Sequence, residues 1–320
     1  TPIDWPAFTP AAPKFIGRRV FKNQDLAEIA QCIDWGPFFQ TWDLAGPYPA
    51  ILNDDIVGES ARRVLSDGQR LLRRAIEGRW LTANGVIGLY PANTVNDDDI
   101  EIYADASRTE VLMTWRGLRV QTVRPVIDGP NGQKITRPNR CLADFIAPKA
   151  SGIADHIGLF AVTSGIGAEK KDKQFLDDLD DYSSIMLKAI ADRLAEAFAE
   201  RLHERVRKEF WGYAADEQLS NAEMIAERYA GIRPAPGYPA CPDHTVKSAM
   251  FEVLNCADIG MALTESLAMT PAASVSGFYM AHPDAAYFNV GKIGEDQLAD
   301  WARRNALDAD HARRSLAASL

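Results

Sequence analysis

The chain has 320 residues, enough for one large domain or two ordinary ones, and its 47% hydrophobic, 25% charged and 9% aromatic content is that of a core-forming globular protein. A formal net charge of −9 argues against nucleic acid as a partner, because that binding needs clustered Lys and Arg, and favours a neutral, zwitterionic or cationic ligand. Four scattered cysteines without a C-x-x-C pair point to reduced thiols in a cytoplasmic protein. The longest apolar stretch, 153–168, is broken by Asp155 and His156, so no membrane segment is expected.

Residues 1–22, opening on Thr1 and the aromatic, Pro-rich run Asp4 to Pro10, read as a linker-like lead-in to a domain cut from a longer chain. Leu26, Ile29 and Ile33 predict a helix from Asn23 to Trp35 that stops at Gly36-Pro37 and leaves Asp34 at its end. A second helix follows over 60–76, then strands over 85–90, 100–103 and 110–115, with Asn96 to Asp99 as a polar turn. That turn lacks the spacing, the Gly and the distal Glu of a calcium loop. Beyond a polar stretch, 128–140, residues 156–163 form a buried strand. The longest helix runs from Asp181 to Phe210, with Leu187, Ile190, Leu194, Phe198 and Leu202 on one stripe and Asp192 and Glu196 one turn apart beside it. Arg201, Arg205, Arg207 and Lys208 alternate with Glu200, Glu204 and Glu209, which reads as a solvated face. Helices at 221–229 and 245–254, strands at 275–280 and 287–290 and two closing helices complete the chain. Helices and strands cluster separately, with no Gly-rich phosphate turn after a strand, so the class is α+β.

The most informative stretch is Arg233-Pro234-Ala235-Pro236-Gly237-Tyr238-Pro239-Ala240-Cys241-Pro242, preceded by Gly231-Ile232. Four prolines and a glycine preorganise it, Arg233 offers a planar fork for a carboxylate, and Tyr238 offers a ring and a hydroxyl. On composition alone it reads equally as a surface turn with Arg233 in solvent. Each acid taken alone reads as a solvated helix carboxylate, and His244 as a surface or helix-start histidine, since no second ligand lies at zinc spacing.

This stretch resembles the signature loop of the activation domain of vitamin B12-dependent methionine synthase. Other segments are similar in order and spacing: Asp34-Trp35 before Pro37-Phe38-Phe39, Gly88 to Asn93, Asp98 to Tyr103, Cys141 to Phe145, Ala191 to Glu200, Leu263 to Ser266 and Ser274 to Gly277. The likeness covers about Trp5 to Leu307.

The resemblance implies a single C-shaped α+β domain over residues 1–320, with a twisted, largely antiparallel sheet flanked by helices and one long central helix. It implies an S-adenosylmethionine site in which Arg233 binds the methionine carboxylate and Asp34 meets the ammonium. Ala235 contacts the adenosyl group through its backbone, Tyr238 lies near the reactive methyl, Glu196 and Glu227 line the site, and Tyr287 and Phe288 form an aromatic pair at the nucleoside end. The family often has Tyr at both of the last two positions, and Phe288 lacks the hydroxyl. Asp192 and His244 match positions facing the cobalamin-carrying domain; a further acidic position there is Ala168 here, beside Glu169. The implied function is reactivation in methionine biosynthesis: flavodoxin or a similar reductase supplies an electron, and the methyl of S-adenosylmethionine passes to cob(I)alamin. The chain is then a monomeric module that makes no methionine alone and holds no metal. The alternatives are a free-standing S-adenosylmethionine-dependent methyltransferase, a metal-assisted hydrolase, and a reductase-docking module without a small ligand.

Overall fold

The computed structural model describes residues 3–320. Its strands are β1 (Gly17–Phe21), β2 (Thr82–Val95), β3 (Asp99–Tyr103), β4 (Val111–Arg116), the small hairpin β5 (Ile127–Asp128) and β6 (Lys134–Ile135), then β7 (Asp155–Ile166), a second hairpin β8 (Ala262–Leu263) and β9 (Met269–Thr270), and β10 (Ser274–Tyr279). Its helices are α1 (Leu26–Ala30), α2 (Gly58–Glu77), α3 (Ala168–Asp177), α4 (Asp181–Arg205), α5 (Asn221–Ile225), α6 (Val246–Leu254), α7 (Glu295–Arg304) and α8 (Ala309–Ser315). Among the described residues no helix is long and apolar enough to cross a membrane.

The main sheet runs β10-β7-β2-β3-β4 with every pairing antiparallel. β2 is long enough to take β7 along one edge and both β1 and β3 along the other. Both faces of β2 and β7 are covered, which is why the two strands carry almost continuous apolar runs. Alternation along each strand divides the core: Ile87, Leu89, Phe160 and Val162 pack with α2 and α4, whereas Val86, Tyr90, Leu159 and Ala161 pack with α6. A third cluster joins α7 and α8 to Leu118 and Val290. This is the expected α+β class, an antiparallel sheet flanked by helices.

The long helix begins where Asp180 accepts the Ser183 N–H at 3.0 Å, and it passes through a π turn at Val206–Phe210 before Gly212 ends it at φ +87°. Four sequence expectations need correction. The first helix is only Leu26–Ala30: Asp25 caps it through the Ala27 and Glu28 N–H groups, and the chain then turns so that Asp34 accepts the Gly36 N–H at 2.9 Å. The helix at 221–229 stops at Ile225, ahead of the left-handed Glu227 (φ +59°). Residues 287–290 form no strand, because their neighbour is the proline-rich loop and only the Val290 N–H finds a carbonyl there, that of Pro239 at 2.9 Å. The lead-in is docked rather than linker-like: β1 is part of the sheet, Trp5 is buried against His282, and the Trp211 indole N–H donates to the Ala11 carbonyl.

Asp99, at the start of β3, is fully buried between Arg116 (3.1 Å) and Arg304 of α7; Arg304 also donates to the Gly117 carbonyl. This pairing ties the C-terminal helices to the sheet edge. Asp99→Ala removes the buried partner of Arg304, which keeps only half-exposed Asp300 at 2.8 Å, and is expected to cost about 2–4 kcal/mol. Urea unfolding followed by far-UV circular dichroism checks this.

Candidate functional site

The proline-rich loop lies along the open edge of β10. Ile232 exchanges both backbone hydrogen bonds with Met280, and two residues on the Phe278 N–H reaches the Pro234 carbonyl at 2.8 Å. Proline is tolerated there because only its carbonyl is called on. Alternation past Ile232 and Pro234 turns Arg233 and Ala235 to the opposite side. Gly231 and Gly277 permit this approach, since a Cβ on either would sit 2.3 and 2.5 Å from a carbonyl oxygen, that of Met280 and of Pro234 respectively. At Gly237 (φ +89°) the loop doubles back, with its N–H on the Cys241 carbonyl, and leaves Tyr238 more than half exposed at the tip.

Opposite the loop stands α4. Glu196, Glu200 and His203 follow at intervals of four and three residues and so share one face. The run read as a solvated face is therefore divided. Arg201 and Arg205 lie toward solvent and pair with Glu28, Glu204 and Glu209, but Glu200, His203 and Arg207 are buried. Arg233 donates from Nη1 to Glu200 Oε2 at 2.6 Å and to His203 Nδ1 at 2.8 Å, which compensates a guanidinium that is itself largely inside. Its main chain is held as well. The Arg233 N–H donates to the Tyr287 hydroxyl at 2.9 Å, that hydroxyl lies 2.7 Å from the Tyr229 hydroxyl, and the Arg207 guanidinium sits over the Tyr229 ring.

Two adjoining cavities open between loop and helix, sharing Glu196, Glu227, Tyr229, Arg233 and Tyr238. The first, about 390 Å³, is the more polar of the two and is completed by Asp34, Arg193, Glu200 and Cys32 together with apolar Met224 and Ile225. The second, about 530 Å³, is more apolar and is completed by Ala235, Tyr287, Phe288, Phe160 and Val275. All eight residues the resemblance placed at a ligand line one or both. Four carboxylates face two guanidiniums in the first cavity, and Glu196 and Glu227 are in no ion pair among the described residues. Burial, more than any neighbouring charge, holds both of these acids above the ordinary glutamate range. The Glu196 carboxylate, followed by burial, raises the Tyr238 hydroxyl above the usual phenol range. Burial pushes the Cys32 thiol up to about 11, so it is inert at neutral pH. Asp192 and His244 line neither cavity. Both are exposed, Asp192 one turn before Glu196 and His244 ahead of α6, with its ring where a Cβ on Gly237 would fall.

Comparison with known proteins agrees with this arrangement. Residues 25–306 match the family model described as vitamin B12 dependent methionine synthase, activation domain. The chain belongs to this family. It is also similar to a solved structure, the MetH reactivation domain bound to AdoHcy, at 49% identity and a TM-score of 0.92, over 100% of this chain and 95% of that one. An activation domain of a B12-dependent methionine synthase belongs to a methyltransferase, and a cobalamin-binding domain of the same enzyme is its implied partner.

Within the activation domain, sequence reasoning missed Glu200, His203, Tyr229 and Arg193. Spacing from Glu196 on a long helix was the available signal for the first two, outweighed by their place in a dense charge run. Tyr287 carries its hydroxyl inward to brace Arg233, whereas Phe288 packs against Phe145 and the second core and makes no such bond. Tyr287→Phe removes both hydroxyl contacts and is expected to lower stability by about 1–2 kcal/mol in chemical denaturation with the fold retained.

Proposed function

We propose that the two cavities together bind S-adenosylmethionine and present its methyl group to cobalamin carried by the neighbouring domain, returning inactive methionine synthase to use. The observation that carries this reading is the donor and acceptor set. A fork held for a carboxylate, the unpaired carboxylates of half-buried Glu196 and exposed Glu227 for cationic groups, and an aromatic, apolar compartment adjoin in one concave surface. The ligand has one anionic group and two cationic ones, so a cavity with surplus negative charge suits it. The relative solved with AdoHcy bound supports the same class of ligand.

In this reading Arg233 takes the ligand's carboxylate. Asp34 takes its ammonium with the carboxylate oxygen not committed to Gly36. Glu196 and Glu227 face the positive sulfur, and the Ala235 backbone with Tyr287 and Phe288 holds the nucleoside. Exposed Tyr238 stands at the mouth beside the methyl. When bound, S-adenosylmethionine supplies an electrophilic methyl on a sulfonium. The sulfur departs neutral, so no residue here need act as general acid or base, and positioning is the contribution of the chain. Asp192 and His244, on the exposed rim, meet the cobalamin domain. The domain works as a monomer and makes no methionine alone, and its reducing partner is flavodoxin or a similar protein. Four unpaired cysteines support a cytoplasmic setting.

Calorimetry with S-adenosylmethionine is expected to show saturable one-to-one binding. Arg233→Ala should weaken it by about 2–5 kcal/mol, as for other charge-assisted partners removed from an interior. Binding that survives this substitution overturns the carboxylate assignment.

Because the charged forms of Glu196 and Glu227 are the ones that attract a sulfonium, affinity should be complete above their raised values. It should fall as pH drops through them, at a higher pH than exposed glutamates would give. Glu196→Gln should weaken S-adenosylmethionine more than S-adenosylhomocysteine, whose sulfur is uncharged, and should flatten that pH dependence.

A further inference from the structure

We propose that His203 is a positioning residue for Arg233, fixing which edge of the guanidinium faces the ligand. The proposal rests on the reading of Arg233 as the carboxylate partner. Arg233 Nη1 carries two hydrogens and both are taken, one by Glu200 Oε2 at 2.6 Å and one by His203 Nδ1 at 2.8 Å. A guanidinium accepts nothing, so His203 Nδ1 is the acceptor at this contact and the ring proton sits on Nε2, 3.4 Å from the Tyr213 hydroxyl. No other Arg233 side-chain nitrogen makes a hydrogen bond to a described residue, so the carboxylate is left the edge formed by Nε and Nη2.

Glu200 alone would not set this orientation, since a carboxylate on a flexible stem can follow a rotating guanidinium. The His203 ring is rigidly held. It is fully buried, stacked on Tyr279 at 5.3 Å and 10° between planes, and set edge-on to Tyr229 at 4.7 Å. Turning Arg233 to offer Nη1 would break two hydrogen bonds inside the protein. An imidazolium at His203 would lose its acceptor and would face the guanidiniums of Arg233 and Arg207. Burial and those two charges hold the ring neutral, far below the usual histidine range.

The test compares S-adenosylmethionine with its decarboxylated analogue, which keeps the sulfonium and ammonium but lacks the group Arg233 would hold. Both are titrated into the wild-type chain, Arg233→Ala and His203→Phe, with folding of each checked by circular dichroism. Arg233→Ala should lower affinity for S-adenosylmethionine and leave the analogue nearly unaffected; without that difference the carboxylate reading itself fails. Given that difference, His203→Phe, which keeps a ring against Tyr279 and deletes the acceptor, should weaken S-adenosylmethionine about tenfold and the analogue by less than about twofold. Equal losses for the two ligands, or no loss, overturn the positioning role. Nitrogen NMR of the native chain needs no variant. It should show His203 Nδ1 unprotonated and Nε2 protonated from about pH 6 to 8, across the range where an ordinary histidine titrates. A proton on Nδ1 overturns the proposal.

Discussion

Placing a guanidinium in a protein interior is costly unless its charge is met, and the arrangement around Arg233 follows from that constraint. The proline-rich loop must run along β10 for Arg233 to reach inward, and α4 must pass close enough for Glu200 and His203 to meet it. Tyr229 and Tyr287 brace the backbone from the other side, and Arg207 with Glu217 completes a buried polar layer beneath them. The cavities are what remains between loop and helix once these contacts are made. Their acids lie on the same helical face that supplies the partners of Arg233.

The long strands, the helix over Asp181–Phe210 and the helix near 60–76 were legible in the sequence because each has a strong period or a continuous apolar run. The loop was legible because prolines and glycines restrict a backbone wherever they stand. What escaped was set by tertiary contact. Glu200 and Arg207 look solvated beside Arg201 and Glu204, and only the packing of α4 against β7 and β10 decides which of them lie inside. The segment 287–290 has the composition of a strand but faces prolines that give it no ladder. The lead-in has the composition of a linker, yet it provides an edge strand of the main sheet. Family likeness named Asp34, Glu196, Glu227, Arg233, Ala235, Tyr238, Tyr287 and Phe288 from scattered positions, and the fold gathers them around two adjoining spaces.

The charge of the site and its openness belong to one account. A chain of net charge −9 that leaves Glu196 and Glu227 unpaired in a cavity keeps negative potential where a cationic group would sit. Both spaces reach the surface beside Tyr238, with His244 close by and Asp192 one turn along α4 from Glu196. On the proposed function this is what methyl transfer to another domain demands: the ligand is gripped by its carboxylate and nucleoside, and its methyl faces outward. A closed pocket would hold the ligand more tightly and exclude the acceptor.

The most direct measurement is a crystal structure of this domain with S-adenosylmethionine bound. The account predicts the ligand's carboxylate on the Nε and Nη2 edge of Arg233, Nη1 still on Glu200 and His203, the sulfonium near Glu196 and Glu227, and the methyl directed past Tyr238 to solvent. A ligand carboxylate that displaces Glu200 from Nη1, or a ligand seated outside the two cavities, would contradict it.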